Sequence, residues 1–199
     1  MEEQLSFLDI FTAAAEETAT AHLPSTIEAA LPFYREMLGH YHAAMLADNA
    51  VEAARIEKEA HNLALRLNNH DPGILADDTS SGNVLKRETA AAPGEIPLWG
   101  QAGIFVVDVD GLKVRIDTKG LFGIGGAESF CANAVDKSKP FLSETGFRSF
   151  MGGASDPLPG MAFDEFVRDV LRVHIAKELK GKLRPIQPRY REEETLDMG

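Results

Sequence analysis

The sequence predicts an α+β protein, in which an N-terminal helical hairpin with a third helix precedes a small antiparallel β-sheet packed by a C-terminal helix. Three observations predict this order. Apolar residues recur at helical spacing up to residue 67, alternate with polar residues around an Asp-Gly pair at 110–111, and return to helical spacing at 162–180. Helices followed by strands, rather than a regular alternation of the two, are typical of this class.

The chain divides by composition into four regions. They are a helical region at 1–70, a linker or wrapping arm at 71–98, an α+β region at 99–182 and a mobile tail at 183–199. The linker has no hydrophobic period and carries Gly, Pro, Ser and Asp, so we expect it to wrap over the surface or to hold short strands. A single compact domain over 1–182 is the alternative.

The first predicted helix spans residues 4–22 and ends at Leu23-Pro24. Its apolar positions are Leu5, Leu8, Phe11 and Ala15. The second and third helices cover 25–48 and 49–67. Ser25 and Glu28 form an S-x-x-E capping box for the second, and Asn49 caps the third. Because the junction between them is short, these two helices should pack as an antiparallel hairpin.

The strongest strand signal surrounds Asp110-Gly111, where β-branched residues alternate with polar ones on both sides of a two-residue turn. Residues 130–135 predict a further short strand or the start of a helix. The last helix has a broad apolar face, and His174 on that face is expected to be buried with its polar atoms satisfied. Gly181 is the expected C-cap.

The composition is that of a globular chain, with 199 residues, 44% of them apolar, and a net charge of −11. No apolar run approaches the roughly 20 residues that a membrane helix needs. The acidic start of the chain lacks the positive charge of an export signal. Cys131 is the only cysteine, which excludes an intrachain disulfide and a cysteine-based zinc cluster. We therefore expect a cytoplasmic protein without membrane contact.

The negative charge belongs to the first half of the chain. Residues 1–100 hold 16 Asp and Glu against 6 Lys and Arg, whereas residues 101–199 hold 15 against 14. This balance argues against DNA or membrane binding by the first half. Its acidic helices form either a solvated face or a surface that occupies a basic groove on a partner, as a nucleic-acid mimic would.

A basic stretch at 168–191 holds 8 Lys and Arg against 2 Asp and Glu. It is the one segment suited to direct contact with nucleic acid. Lysines that complement the helix dipole, followed by a solvated tail, explain the same charges. The stretch could also dock on the acidic half, within one chain or between the subunits of a homodimer.

Two Glu–His pairs at i,i+4 spacing, Glu36 with His40 and Glu57 with His61, suggest a metal site. In an antiparallel hairpin, Glu36 would face His61 and His40 would face Glu57. The phase of the apolar stripes opposes this hypothesis, because it turns all four side chains away from the buried face. Solvated contacts within each helix are therefore the favoured interpretation.

No motif predicts catalysis or a cofactor. The glycine-rich segment 120–126 lacks the G-K-[ST] of a P-loop, and Glu128 stands where a dinucleotide fingerprint needs glycine. There is no G-x-S-x-G elbow. We therefore expect no cofactor and lean towards a protein that is not an enzyme.

The segment PFLSETGFRSF at 140–150 is rich in phenylalanine and hydroxyl residues and also contains a proline, a glycine, a glutamate and an arginine. The favoured interpretation is a turn that phenylalanines anchor and hydroxyl groups stabilise. The alternative is a small anionic ligand bound by Ser143, Glu144, Thr145 and Arg148, with the Arg148 guanidinium as a fork.

Three segments carry a resemblance to a known family. They are EAHNLALRLN at 59–68, IPLWGQAGIF at 96–105, which contains WGQxG, and AVDKSKPFLSETGFRSFMG at 134–152. Together they resemble an uncharacterised proteobacterial protein family met in accessory or plasmid-like regions. The resemblance covers most of the chain, implies a bacterial protein of a mobile element, and transfers no catalytic residue.

The favoured function is binding of a macromolecular partner, a protein, through the acidic helical face. Trp99 either anchors the preceding segment to the core or, if exposed, contacts that partner. The alternatives are a small-ligand binder or enzyme centred on residues 143–148, and a metal-binding helical hairpin.

Overall fold

The computed structural model describes residues 20–151 and 160–191. Within these two ranges, four α-helices and four strands occur along the chain, with a 3-10 turn at Gly120–Phe122 and another at Pro188–Tyr190. The α+β prediction is confirmed. The helix predicted at 4–22 lies almost wholly outside the described residues, as do the last eight residues of the predicted tail.

Helices α1, Ile27–Leu46, and α2, Ala50–Leu67, form the predicted hairpin, and each buries an apolar stripe. Asn49 caps α2 as expected, since its Oδ1 accepts the Glu52 N–H at 3.1 Å. The expected Ser25 capping box is wrong. Thr26 is the N-cap of α1, and its hydroxyl accepts the Ala29 N–H at 3.4 Å. A hydroxyl at either position can accept a free backbone N–H of the first helical turn, so residue spacing alone does not show which residue is the N-cap.

Helix α3, Ser81–Glu88, lies in the segment for which the sequence predicts only an arm or short strands. Its Ser81 hydroxyl donates to the carbonyl oxygen of Ala64 on α2 at 2.6 Å, and Leu85 is fully buried. Eight residues are too few for a stable isolated helix. Packing against the hairpin therefore stabilises α3, and no local sequence pattern predicts this helix.

The sheet has four antiparallel strands in the order β1-β2-β3-β4. They are β1 Gly103–Val109, β2 Leu112–Thr118, β3 Phe130–Ala134 and β4 Phe147–Phe150. The turn between β1 and β2 is the predicted one, with positive φ at Asp110 and Gly111. Residues 130–134 adopt the strand alternative. Strand β4 was not predicted, because it lies inside the segment expected to be a turn.

Helix α4, Phe163–Lys177, packs on one face of the sheet and is shorter than the predicted 162–180. The buried side chains of helices and sheet form one continuous cluster. Residues 183–191 of the predicted tail join it: Arg184 exchanges two backbone hydrogen bonds of 2.8 Å with Phe141, and Ile186 is buried. Within the described ranges, no helix is both long and apolar enough to cross a membrane.

Candidate functional site

Trp99 joins the helical region to the sheet region. Its indole is fully buried, stands edge-on to Phe163 at 4.9 Å between ring centroids, and donates to the carbonyl oxygen of Met161 at 3.0 Å. Its backbone N–H donates to Nδ1 of His42 on α1 at 3.2 Å. The indole is thus an anchor in the core, and its surface is not available to a partner in this structure.

The glycine-rich segment 120–126 packs against the same junction. The Leu121 N–H donates to the carbonyl oxygen of Gly100 at 2.9 Å. Gly120 has φ +61°, and a Cβ atom there would lie 2.2 Å from that carbonyl oxygen. Position 120 therefore requires glycine because two backbone segments approach closely there. This close approach explains the glycine without a phosphate ligand.

The two Glu–His pairs lie on different surfaces. Glu36 and His40 line a groove between α1 and α2, whereas Glu57 and His61 line a depression on the other side of α2. All four side chains are exposed. Residues two positions apart on a helix, such as Glu57 and Glu59, point about 200° apart, so α2 presents them to opposite sides. The four residues do not converge, and no three His, Cys, Asp or Glu side chains of the described ranges are grouped to hold a metal ion.

The groove between the helices, called here the hairpin groove, has an apolar floor and a charged rim. Its volume is about 180 Å³, and its lining residues are Phe33, Glu36, Met37, His40, Arg55, Ile56 and Glu59. Arg55 bridges Glu52 at 2.8 Å and Glu59 at 2.5 Å. The hydrogen bond from Arg55 holds the pKa of Glu52 below its ordinary value.

Three other carboxylates on the two helices of the hairpin are exposed and lack a cationic partner in the described part of the chain. These are Glu28, Glu36 and Glu57. Arg35, the nearest basic residue in sequence to Glu36, donates instead to the carbonyl oxygen of Glu88 on α3 at 3.1 Å. The hairpin therefore presents negative charge that its own arginines do not neutralise.

The segment 140–150 forms a turn that leads into β4, and three of its four candidate ligand-binding residues stabilise that turn. The Ser143 hydroxyl donates to the carbonyl oxygen of Phe147 at 2.6 Å and accepts its N–H at 3.2 Å. The Thr145 hydroxyl lies 3.1 Å from the same carbonyl oxygen. The Glu144 carboxylate binds the side-chain amide of Gln187 and forms no pair with Arg148.

Arg148, on β4, takes no part in these contacts. Along β4, Arg148 and Phe150 point to the same face, and the Phe150 ring stands edge-on to His174 at 5.3 Å between centroids. Burial lowers the pKa of His174, and the positive charges of Arg148 and Arg184 lower it further, while Glu178 raises it.

His174 differs from its prediction in one respect. It is buried, at 8% exposure, but its Nε2 has no hydrogen-bond partner among the described residues. In the sequence, the position of His174 on the apolar face of the last helix predicts this burial. Arg184 belongs to the basic stretch 168–191 and lies in the part of the chain for which the sequence predicts a mobile tail.

Comparison with known proteins gives two relatives. Over 120 residues the chain is 34% identical to a protein of Escherichia coli named KlcB, a stretch that covers 60% of the chain and 29% of that protein. A second Escherichia coli protein named KlcB is 37% identical over 100 residues, which cover 50% of the chain and 21% of the relative. The chain thus spans less than a third of the length of the curated relatives it matches.

These matches support the resemblance to proteobacterial proteins. No model of a protein family matches the chain, and no solved structure matches it. The name KlcB specifies no activity, ligand or partner, so the comparisons place no functional residue in this chain.

Proposed function

We propose that this protein is a non-catalytic, cytoplasmic accessory protein of bacterial mobile elements, which binds a protein partner through the acidic face of the α1–α2 hairpin. The observation that carries the proposal is the exposed, unneutralised carboxylates Glu28, Glu36 and Glu57 on a hairpin that also has a groove with an apolar floor. The similarity to bacterial proteins supports the bacterial part of the proposal.

The chemistry of the groove favours a basic, amphipathic segment as the bound element. Apolar side chains of such a segment would cover Phe33, Met37 and Ile56, and its lysines or arginines would meet the carboxylates at the rim. Nucleic acid is a poor ligand for this face, because phosphates and carboxylates repel each other.

The test is affinity capture with two charge-matched variants. The wild-type chain is compared with Glu36→Gln/Glu57→Gln, in which two exposed hairpin carboxylates are neutralised. The control is Asp78→Asn/Glu95→Gln, which neutralises two exposed carboxylates outside the hairpin. We expect a defined bacterial protein to bind the wild type and the control and to bind the hairpin variant at least several-fold more weakly.

Salt dependence provides the second criterion. Surface charges are screened over about 10 Å at 0.1 M salt and about 3 Å at 1 M salt, so binding of the captured protein should weaken strongly between these conditions. Equal retention by the two variants, or binding that salt does not affect, would contradict the proposed acidic interface.

A further inference from the structure

One face of the sheet, called here the outer face, carries exposed apolar side chains. The inner face packs against α4, where the ring centroids of Phe105 and Phe163 lie 6.0 Å apart. On the outer face, Ile104 and Val106 of β1 are 44% and 53% exposed, and Phe147 of β4 is 47% exposed. An antiparallel sheet with one solvated face usually presents polar side chains there. The two outermost strands depart from that pattern, which indicates a surface that another molecule covers.

The strand register sets four side chains of the outer face in one row. Val106 pairs with Arg115, and Arg115 pairs with Asn133. Asn133 pairs in turn with Phe147. Side chains directly opposite each other on neighbouring strands point to the same face, with Cβ atoms about 4.5–5.5 Å apart. The row is therefore apolar on β1, polar on β2 and β3, and apolar on β4, an order that is the same from either edge.

The two polar side chains of this row are unused within the chain. The Arg115 guanidinium is exposed, and neither it nor the side-chain amide of Asn133 has a hydrogen-bond or ion-pair partner among the described residues. A guanidinium donates and an amide oxygen accepts. This pair can therefore be satisfied by a surface that carries the same two groups in the reverse order.

The charges on β1 and β2 nearly balance on this face. Lys113 lies opposite Asp108 in the register, and Asp117 forms an ion pair with Lys119 at 2.9 Å. Arg115 is left as the one uncompensated charge on these two strands. Nucleic acid needs several positive charges on its binding surface, so it is a poor ligand for the outer face.

The edges of the sheet are occupied by the chain itself. At the β1 edge, the Gly94 N–H donates to the carbonyl oxygen of Ile104 at 2.9 Å. At the β4 edge, the Ser143 hydroxyl accepts the Phe147 N–H at 3.2 Å and donates to the Phe147 carbonyl oxygen at 2.6 Å. These backbone groups are therefore not free to pair with a strand of another molecule. The outer face, rather than an edge, is the surface open to a partner.

We propose that the outer face binds the outer face of a second copy of this chain, which gives a two-fold symmetric dimer. A two-fold rotation about an axis parallel to the strands sets β1 of one subunit over β4 of the other. Val106 then meets Phe147 of the partner subunit. Arg115 meets Asn133 of the partner subunit, whose amide oxygen can accept from the guanidinium. No like charges of this row face each other, and the two sheets stack about 10 Å apart as in a β-sandwich.

The proposed interface is confined to four short strands, so we expect a weak dimer whose population depends on concentration. It is independent of the hairpin surface proposed for the protein partner, and salt distinguishes the two. Each copy carries a net charge of −11, and salt screens the repulsion between copies. Association through the outer face should therefore persist or strengthen as salt rises, whereas binding at the acidic hairpin should weaken.

The experiment is sedimentation equilibrium of the full-length chain between about 1 μM and about 1 mM, the range in which weak complexes dissociate. We expect a reversible monomer–dimer equilibrium for the wild type. Val106→Lys and Phe147→Lys should each raise the dissociation constant at least about tenfold, because each places an unpaired ammonium group in the interface. Both substitutions make the chain less negative, so a weaker dimer cannot result from increased net repulsion.

The matched control is Val51→Lys, which makes the same change at an 84% exposed position of α2, on the hairpin. It should dimerise at least as strongly as the wild type. The three substituted side chains are 47% or more exposed, so the variants are expected to fold, and circular dichroism checks this. A wild type that stays monomeric over the whole range, or a dimer that the three variants weaken equally, would overturn the inference.

Cys131 provides a second readout, because it is the only cysteine and lies on the outer face between Asp117 and Ser149 of the neighbouring strands. Alkylation of its half-buried thiol by a maleimide should slow as the wild-type concentration rises, and Phe147→Lys should reduce this protection. A dimer in which Cys131 stays equally reactive at all concentrations would mean that the copies meet through another surface, and the inference would be wrong.

Discussion

At the scale of single residues, the junction between helices and sheet depends on a few closely packed residues. Gly120 meets the backbone of Gly100 at a distance that only a hydrogen at Cα permits. Trp99 fills the space between α1 and α4, and His42 satisfies its backbone N–H. These residues determine how closely the two halves approach, whereas the exposed turn residues mainly connect elements.

Replacing Gly120 by alanine tests this distinction against a matched glycine. Gly111→Ala should cost about 1–2 kcal/mol, the usual cost of a left-handed conformation, since nothing lies within 4 Å of the added Cβ. Gly120→Ala should lower the free energy of unfolding by several kcal/mol more, because its Cβ would overlap the Gly100 carbonyl oxygen. Urea unfolding followed by circular dichroism measures both, and equal losses would contradict a close backbone contact at Gly120.

His42 makes stability depend on pH between about 7 and 5. Burial lowers its pKa below the ordinary 6.5, so the unfolded chain binds the proton more readily than the folded one. Its contribution to stability is complete above 6.5 and is lost as the pH falls, with a slope of at most about 1.4 kcal/mol per pH unit for one group. Protonation of Nδ1 would also remove the acceptor of the Trp99 N–H.

The measurement is the free energy of unfolding from urea titrations across this pH range. His42→Gln should reduce the slope, and the remainder belongs to His174, whose pKa is lowered in the same direction. If His42→Gln leaves the slope unchanged, burial does not keep the imidazole of His42 neutral, and the prediction is wrong.

At the scale of secondary-structure elements, packing determined what local sequence left open. Helix α3 forms because Leu85 and the Ser81 hydroxyl contact the hairpin, although its eight residues show no period. Strand β4 forms because residues 147–150 pair with the edge of β3. In both cases the deciding partner is distant in the chain.

The Leu85→Ala substitution measures how much the packing of α3 against the core contributes to the free energy of unfolding. Leu85→Ala should lower the free energy of unfolding by about 2–5 kcal/mol, the range for a fully buried leucine. Ile96→Ala in the same 71–98 segment, at 53% exposure, should cost much less. Chemical denaturation distinguishes the two, and a small loss for Leu85→Ala would favour a loosely attached arm.

At the scale of the whole molecule, the two halves share one set of buried side chains. The cluster runs from Tyr34 and Leu38 on α1 through Trp99 to Phe105 on β1 and Phe163 on α4. The hairpin carries more Asp and Glu than Lys and Arg, whereas Arg148 and Arg184 are exposed in the sheet region.

A shared core predicts a single unfolding transition. Far-UV circular dichroism follows all helices, and fluorescence of the only tryptophan, Trp99, follows the junction. The two signals should change together in urea, as expected for a single domain of this size. Two separate transitions would instead support independent units divided near residues 71–98.

Much of the fold could be predicted because its signals are local. The α1 and α2 stripes, the Asn49 cap and the Asp110-Gly111 turn each depend on spacing within a few residues. The candidate sites could not be predicted to the same degree. Whether Glu57 faces Glu36, or whether Glu144 binds Arg148 or Gln187, depends on how elements distant in sequence are rotated and packed.

The sequence by itself determined the fold class, the helical hairpin, the β-hairpin and the acidity of the first half, since periodicity, turn chemistry and charge are properties of short stretches. Only the tertiary structure decided that Trp99 is buried, that the Glu–His pairs separate, and that the hydroxyls of Ser143 and Thr145 bind within their own turn. The physical reason is that burial and proximity between distant residues are set by packing of the whole chain, which local residue patterns do not encode.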